Sequence, residues 1–513
     1  MPPLQRIKQA ASLGVLDGVE VMYPSEVNED NLQEIGQILS VTGLDLAILG
    51  IPISSDRCFA HGTLTSRDAS VRKKAIDRVK AGMDVCAELG GARVMFFLEH
   101  DGQNIMTSDE LNVEQVYTAG LCTQCGTCAA ICPHGAIKME WDGESGYVLS
   151  VDSENCQSCG LCYDICPGHS VDFKGLSDRF LGAGTDHLRI GRYTSCQVGH
   201  AIEKTVRWSA ASGGIVTALL IAALRNGAID GAVVTRMDPD SPLEPQTFLA
   251  TTEAEIYEAR GSKYCPVAAN LRLRDVLAAD GRFALVGLPC HIQGLRKLQT
   301  RNRKFIDKVP ICISIFCGLN MSPNGTKVLL RRNGIKGSDV RHLKYRGDGW
   351  PGGLQVEMTN GQTYAKGYRQ YFDNHFRCYE MHRCNLCTDS FGELSDISCG
   401  DAWLPEYVNS DDQGTSVVIV RTEYGEQFLS TNGKGVLNLK PLSVEKAIQS
   451  QRLALIWKKE WMNAKIGISK FAGREVPVYE NDLPPAGFKE ISGWTRTNLN
   501  RSLHRLWHRM KTP

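Results

Sequence analysis

Nothing in this 513-residue chain is long and apolar enough to cross a bilayer: the longest apolar stretch, Gly214 to Leu224, is about half of what a spanning helix needs. Charge of one sign is also missing. The 57 basic and 57 acidic residues cancel, so net charge gives no pull toward nucleic acid. The N-terminus shows no charged segment leading into an apolar one, which argues against a secretory signal. No strand-turn-helix dinucleotide fingerprint of the Rossmann kind is found, which disfavours NAD as a direct partner. With 42% hydrophobic and 22% charged residues, the composition is that of a globular protein large enough for three or four domains.

Cysteine is abundant instead, with 19 residues. Eight fall in two copies of one pattern, Cys122-x-x-Cys125-x-x-Cys128-x-x-x-Cys132-Pro133 and Cys156-x-x-Cys159-x-x-Cys162-x-x-x-Cys166-Pro167. Each copy matches the bacterial ferredoxin run, in which three closely spaced thiolates hold one [4Fe-4S] cluster and the fourth ligates the other cluster. The expected sets are Cys122, Cys125, Cys128 and Cys166 for one cluster, and Cys156, Cys159, Cys162 and Cys132 for the other. Zinc knuckles are the rival reading, but zinc sites usually take split pairs rather than two complete runs. Cluster thiolates need a reducing compartment, so the cytoplasm is expected.

Residues 121–175 read as a two-cluster ferredoxin module, with small strands and turns around Gly135–Lys138 and Asp142–Gly146. A polar, helical linker is expected over 104–120. Before it, residues 1–103 alternate helix and strand in βα order, which implies parallel pairing: strands at Gly18–Met22, Leu44–Ile51 and Ala92–Leu98, helices at Glu29–Val41 and Ser66–Leu89. This segment resembles the xylose isomerase-like TIM barrels in GVEVMYP, Arg57-Cys-Phe59, HGTLTSRD from His61 to Asp68, Arg72 and AIDRVKAGMDVCAELGGARVMFF. A closed barrel needs about 250 residues, so the resemblance covers a partial barrel. Glu20, His61, Glu99 and His100 are the residues of a remnant divalent-metal site, or carboxylates and histidines satisfied by neighbours.

Beyond Pro167 a second α/β region, 176–440, begins. Trp208-Ser-Ala-Ala-Ser-Gly-Gly214 opens an apolar helix from Ile215 to Arg225, stopped at Asn226-Gly227 and followed by a strand at Gly231–Thr235. Then come Gly261-Ser-Lys-Tyr264, the strand and turn from Phe283 through Gly287-Leu-Pro289-Cys290-His291, Ile315-Phe-Cys317-Gly318, Lys344 through Gly353, Cys384-Asn-Leu-Cys387, and Ser395 through Trp403. In these motifs the chain resembles the coenzyme F420 hydrogenase/dehydrogenase beta-subunit family over about residues 112–470. The resemblance implies an iron-sulfur flavoprotein oxidoreductase carrying FAD. It also implies a third [4Fe-4S] cluster on Cys290, Cys317, Cys384 and Cys387. Cys378 and Cys399, close in sequence to the last pair, form with it a rival local set for a cluster or for zinc.

A flavin joins one-electron clusters to a two-electron coenzyme. The candidates to hold it are Ser212, Gly213 and Gly214 with Thr217, the loop Gly261, Ser262, Lys263 and Tyr264, and the turn Gly287 to Pro289. A glycine pair opening a helix lets backbone N–H groups meet an anion, Lys263 supplies charge for a pyrophosphate, and the ring of Trp350 is suited to cover a planar group. His291 and Lys344 are candidate proton carriers. Cys58, Cys86, Cys196, Cys265 and Cys312 sit in apolar surroundings and are read as core residues. Residues 441–513 are expected to be helical, ending in a basic amphipathic stretch from Arg496 to Lys511 that packs on its own domain or touches a partner or a membrane surface.

The expected fold class is thus α/β and multidomain: a partial (β/α) barrel-like segment, a ferredoxin-like module, an α/β flavin-binding domain and a helical C-terminal region. The expected partners are ferredoxin or another redox protein, and the deazaflavin coenzyme or a small organic substrate. A ferredoxin-dependent reductase of one organic substrate, or an electron-transfer subunit of a larger redox complex, is the alternative.

Overall fold

The computed structural model describes residues 3–13, 16–52, 69–97, 111–373 and 376–480, together with 483 and 490. His61, Glu99, His100, Cys58 and the Arg496–Lys511 stretch lie outside these residues. The chain divides into two compact units, 1–111 with 158–160, and 112–157 with 161–513. Among the described residues no helix is long and apolar enough to cross a membrane.

In the first unit the strands Gly18–Met22, Asp45–Pro52 and Val94–Phe97 form a parallel sheet in sequence order, with helices Leu32–Thr42 and Ala69–Glu88 between them. Val21, Ile35, Leu39, Leu49, Ile51, Ala75 and Val85 fill its core. Gly43, at φ 70°, ends the first of these helices by giving its N–H to the Leu39 carbonyl. The described sheet is open, with three strands rather than the eight of a closed barrel. Glu20 points its side chain to solvent.

The second unit is built on an eight-stranded sheet in the order Leu437–Pro441, Ser195–Ala201, Ser416–Val420, Ile397–Asp401, Ile311–Ile315, Phe283–Gly287, Gly231–Met237, Pro245–Ala250. The four strands from Ile397–Asp401 to Gly231–Met237 run parallel, and the flanking strands are antiparallel. Alternate residues feed two cores. Ala232, Val234, Ala284, Ile311 and Ile313 pack under helices Ile215–Arg225 and Glu423–Gly433, whereas Val233, Leu285 and Cys312 meet Ile292, Leu295 and Leu298 of helix Pro289–Arg301.

The ferredoxin-type segment shares the second core through Ile165, Phe173 and Leu176. Its strands Ile137–Trp141 and Tyr147–Val151 pair antiparallel across a turn in which the Asp142 carboxylate accepts the N–H groups of Glu144, Ser145 and Gly146. The C-terminal region is helical over Val444–Ser450, Arg452–Leu455 and Met462–Phe471, with one π-helical turn at Ile456–Glu460. It is not helical throughout, because Val478–Glu480 pairs in parallel with Ser170–Asp172 beside the second cysteine run. Gly347 to Gly352 does spell G-x-G-x-x-G, but it joins the antiparallel strands Val340–Lys344 and Gly353–Met358 and opens no helix. It therefore cannot act as a Rossmann fingerprint.

Candidate iron-sulfur and coenzyme site

Both ferredoxin-type loops take the same backbone path. In the first, Gln124 and Gly126 have φ of 58° and 88°; in the second, Ser158 and Gly160 have φ of 48° and 69°. Left-handed residues on either side of the second cysteine turn successive N–H groups inward, the concave arrangement that suits anionic iron-sulfur centres. Gln124 N–H lies 3.3 Å from Cys122 Sγ, and the Gly168 and His169 N–H groups bond Cys166. Cys122, Cys125, Cys128 and Cys166 line one cavity with Val113, Val116, Met139 and Leu149. Burial and the neighbouring thiols push Cys122 and Cys128 well above the ordinary thiol range, so iron must displace their protons on binding. Of the other expected set, Cys162 is buried and within charge reach of Cys128, Cys132 and Cys156 are half-buried, and Cys159 is exposed.

The structure also brings Cys290, Cys317, Cys384 and Cys387 together. Cys290 stands in the first turn of helix Pro289–Arg301, directly after strand Phe283–Gly287, and Cys317 follows the adjacent strand Ile311–Ile315. Both therefore sit at the carboxyl edge of the parallel strands, where open α/β sheets bind ligands. Cys384 and Cys387 come from the 3-10 turn His382–Leu386 and its cap. The Cys290 thiol is driven up by burial and then by Cys125, Cys317, Cys387 and Cys384. Cys399 is not with them. It lies in the strand Ile397–Asp401, buried in the sheet core and raised to about 12 by burial alone. Cys378 is half-buried in the turn Phe376–Tyr379. Among the described residues no three His, Cys, Asp or Glu stand close enough to hold a single metal ion. Four thiols and no imidazole fit an iron-sulfur cluster and suit zinc as well.

The first-run loop and the Cys290 helix are tied by a buried amide. Asn270, 0% exposed, gives its amide hydrogens to Thr127 Oγ1 and the His291 carbonyl, both at 2.8 Å, and its N–H to the Cys125 carbonyl at 2.9 Å. Thr127 Oγ1 is 3.2 Å from Cys125 Sγ. Three cations surround these thiols, Arg383 and Lys458 buried and Lys297 half-buried. Arg383 bonds the Pro167 and Leu386 carbonyls at 3.1 and 3.0 Å and feels Cys384 and Cys387. Lys297 bonds the Cys166 carbonyl at 3.1 Å and the Ser170 carbonyl at 2.7 Å. Lys458 lies 3.4 Å from Cys387 Sγ. Sequence reasoning missed Asn270, Arg383, Lys297 and Lys458. Only Lys458-Lys459, a charged pair set among apolar helix residues, left a signal.

The flavin candidates divide. A side chain on Gly213 would meet Gly199 O and Ser416 N at 2.7 and 2.9 Å, one on Gly214 would meet Val206 O at 3.1 Å, and one on Gly287 would strike His291 Cβ at 2.7 Å. At these glycines the protein's own atoms come close, and the Gly213 N–H is bonded to Ser416 Oγ at 2.9 Å. The Ser212 hydroxyl is bonded to Ser416 at 2.8 Å, Thr217 is half-buried on its helix, and Pro289 serves as the first residue of helix Pro289–Arg301. Trp350 is 6% exposed, its Nε1 bonded to Asp401 at 2.7 Å and its ring 4.7 Å from Trp403, so protein already covers it. His291 is no proton carrier: Nδ1 accepts the Leu288 N–H and Nε2 bonds the Val267 carbonyl. Lys344 pairs with Asp348 at 3.4 Å.

The Gly261–Tyr264 loop keeps a feature that suits an anion. Arg260 Nε is buried without a hydrogen-bond partner, and its charge helps burial hold Lys263 down at about 7. The Lys263 ammonium turns onto the carbonyls of Ala259, Arg260 and Gly261 at 2.5, 3.0 and 3.1 Å. The unpartnered Arg260 donor suits an anion, whereas the Lys263 nitrogen is already spent on three carbonyls. Gly261 makes the turn at φ 83°, Ser262 is half-buried, and Tyr264 packs 4.9 Å from Phe372 and 5.7 Å from Tyr345.

A family model for the C terminus of the beta subunit in coenzyme F420 hydrogenase/dehydrogenase matches residues 280–445, and the model for the N-terminal part of that same subunit matches 196–274. A 4Fe-4S dicluster domain model matches 121–169. The coenzyme F420 hydrogenase subunit beta of Methanococcus voltae is 30% identical over 303 residues, 56% of this chain and 100% of that protein. That of Methanosarcina barkeri is 28% identical, covering 49% of this chain and 84% of the relative. A coenzyme F420-dependent sulfite reductase of Methanocaldococcus jannaschii is 26% identical over 62% of this chain and 47% of its own length.

Proposed function

The chain belongs to the coenzyme F420 hydrogenase/dehydrogenase beta-subunit family, and from that premise we propose that it is an iron-sulfur oxidoreductase exchanging electrons with the deazaflavin coenzyme F420. Cys122, Cys125, Cys128 and Cys166 would hold one [4Fe-4S] cluster, Cys132, Cys156, Cys159 and Cys162 a second, and Cys290, Cys317, Cys384 and Cys387 a third. The observation that carries this reading is the placement of the Cys290 thiol, within charge reach of Cys125 of the first run and also of Cys317, Cys384 and Cys387. Adjacent ligand sets suit stepwise one-electron transfer.

FAD, when bound, would supply the exchange between single electrons and the hydride of the coenzyme. Arg260, whose Nε is buried without a hydrogen-bond partner, would take its diphosphate, with Lys263 holding the loop through its carbonyls. The rest of the named loop, Gly261, Ser262 and Tyr264, would shape the approach. Ferredoxin or another redox protein is the partner expected at the two-cluster segment. The named sulfite reductase relative supports a second reading, a reductase of one small acceptor.

The test is anaerobic purification with iron, sulfide, zinc and flavin quantified, followed by titration with reduced coenzyme F420. About twelve irons with one FAD, bleached by the coenzyme, supports the proposal. About eight irons with zinc refutes the third cluster, and a flavin that ignores the coenzyme moves the reading to the acceptor-specific reductase.

A further inference from the structure

The π-helical turn Ile456–Glu460 buries two consecutive lysines, Lys458 and Lys459, each 2% exposed. An extra residue in a helical turn is a feature found mostly at functional positions. The two ammonium groups have different surroundings. Lys459 meets a carboxylate, Glu393 Oε1, at 2.6 Å. Lys458 has no such partner among the described residues: its hydrogen bonds go to Cys387 Sγ at 3.4 Å and to the Asp389 carbonyl at 2.8 Å. The carboxylate of Asp389 is already occupied, accepting the N–H groups of Phe391, Gly392 and Glu393 and the Gln293 amide. What faces the Lys458 charge is first the thiol group of Cys387, Cys317 and Cys384, and after them the Asp389 carboxylate.

A buried ammonium is costly unless negative charge balances it. A cluster bound by four thiolates is such a charge, and reduction makes it more negative by one. A fixed cation at hydrogen-bond distance from one ligand sulfur stabilises the reduced form more than the oxidised form. Charge and hydrogen bonds to the sulfurs are two of the factors that set cluster potentials.

We propose that Lys458 is a positioning residue whose fixed charge raises the reduction potential of the cluster held by Cys290, Cys317, Cys384 and Cys387. The proposal rests on those four thiols holding a [4Fe-4S] cluster. Lys458→Met keeps the length and removes the charge; Lys458→Arg keeps the charge. Each is purified anaerobically as the full chain, its iron and sulfide are counted, and its clusters are titrated by potentiometry with electron paramagnetic resonance. The third-cluster signal is the one missing from Cys317→Ser.

The expected result is an unchanged iron count in both variants. In Lys458→Met the third-cluster midpoint falls by the equivalent of at least tenfold in oxidised over reduced cluster, 59 mV for one electron. Lys458→Arg stays near the parent, and the other signals do not move. An unmoved midpoint with full iron overturns the proposal, as does loss of the cluster from Lys458→Met alone, which would make the ammonium a structural support. If Cys317→Ser removes no signal from the parent pattern, the third cluster itself is refuted, and the proposal falls with it.

Discussion

Asp401→Asn offers a direct test of how the candidate site's edge is held. Asp401 ends the strand next to the one that leads to Cys317, and it accepts two bonds from the Arg346 guanidinium, at 2.8 and 3.0 Å, plus the Trp350 indole N–H at 2.7 Å. Arg346 is 3% exposed and also donates to the Pro351 carbonyl at 3.0 Å, so this one pair pins the Gly347–Gly353 loop to the sheet. Asparagine can still take the indole bond but removes the carboxylate that, among the described residues, pairs with the guanidinium. For charge centres about 4 Å apart at an effective dielectric near 20 the attraction is about 4 kcal/mol, in line with the roughly 3–5 kcal/mol lost when one partner of a buried pair is removed. Urea unfolding of the anaerobic protein, followed by tryptophan fluorescence, should show that loss. The double variant Arg346→Met with Asp401→Asn should recover most of it, because the stranded charge is gone. A single-variant cost under about 1 kcal/mol, or additive costs in the double variant, would refute the reasoning.

Cys317→Ser should lose about four of about twelve irons while Cys399→Ser keeps them all, as judged by iron and sulfide analysis; equal losses would restore the local set with Cys399. Gly126→Ala should destabilise the first cluster loop by about 1–3 kcal/mol and slow cluster assembly, since φ is 88° and the new methyl would lie 2.8 Å from Leu271 N. Stability should fall as pH rises above 9, because burial holds the Cys312 and Cys399 thiols up at about 12 and the folded state keeps protons that the unfolded state releases. Each thiol contributes about 1.4 kcal/mol of loss by pH 10, and Cys399→Ala should shrink the change between pH 8 and 10 by that amount in urea titrations.

Local patterns were legible where one stretch of chain decides its own conformation. The strand Gly18–Met22 and the helix Ile215–Arg225 end where alternation, glycine and the Asn226-Gly227 stop place them. The cysteine runs carry their own spacing, and a dicluster domain model matches them. The gathering of Cys290, Cys317, Cys384 and Cys387 was not legible from spacing, because strand order in the sheet brings them together; it entered through family resemblance. Ser212 to Gly214 is ambiguous in sequence for another reason. Two glycines before a helix read the same whether a ligand or another strand comes close, and here the occupant is the backbone of Gly199 and Ser416. Lys458 was illegible for a related reason, since its sulfur partner lies 71 residues away.

The cations around the thiols would balance the negative charge that the proposed clusters bring to a chain of zero formal net charge. Lys297 sits against Cys166, Arg383 spans from Pro167 to Leu386, and Lys458 touches Cys387. Each bonds backbone carbonyls, which fixes its position, and each lies within charge reach of a cysteine thiol. A carboxylate partner would cancel the field of such a cation, as Glu393 does for Lys459. Spreading the compensation over three cations bonded to carbonyls lets each ligand set be balanced locally, and it places Arg383 where it acts on the first-run and Cys384–Cys387 sets together. Charge removed there should be felt by both, whereas charge removed at Lys458 should be felt by one.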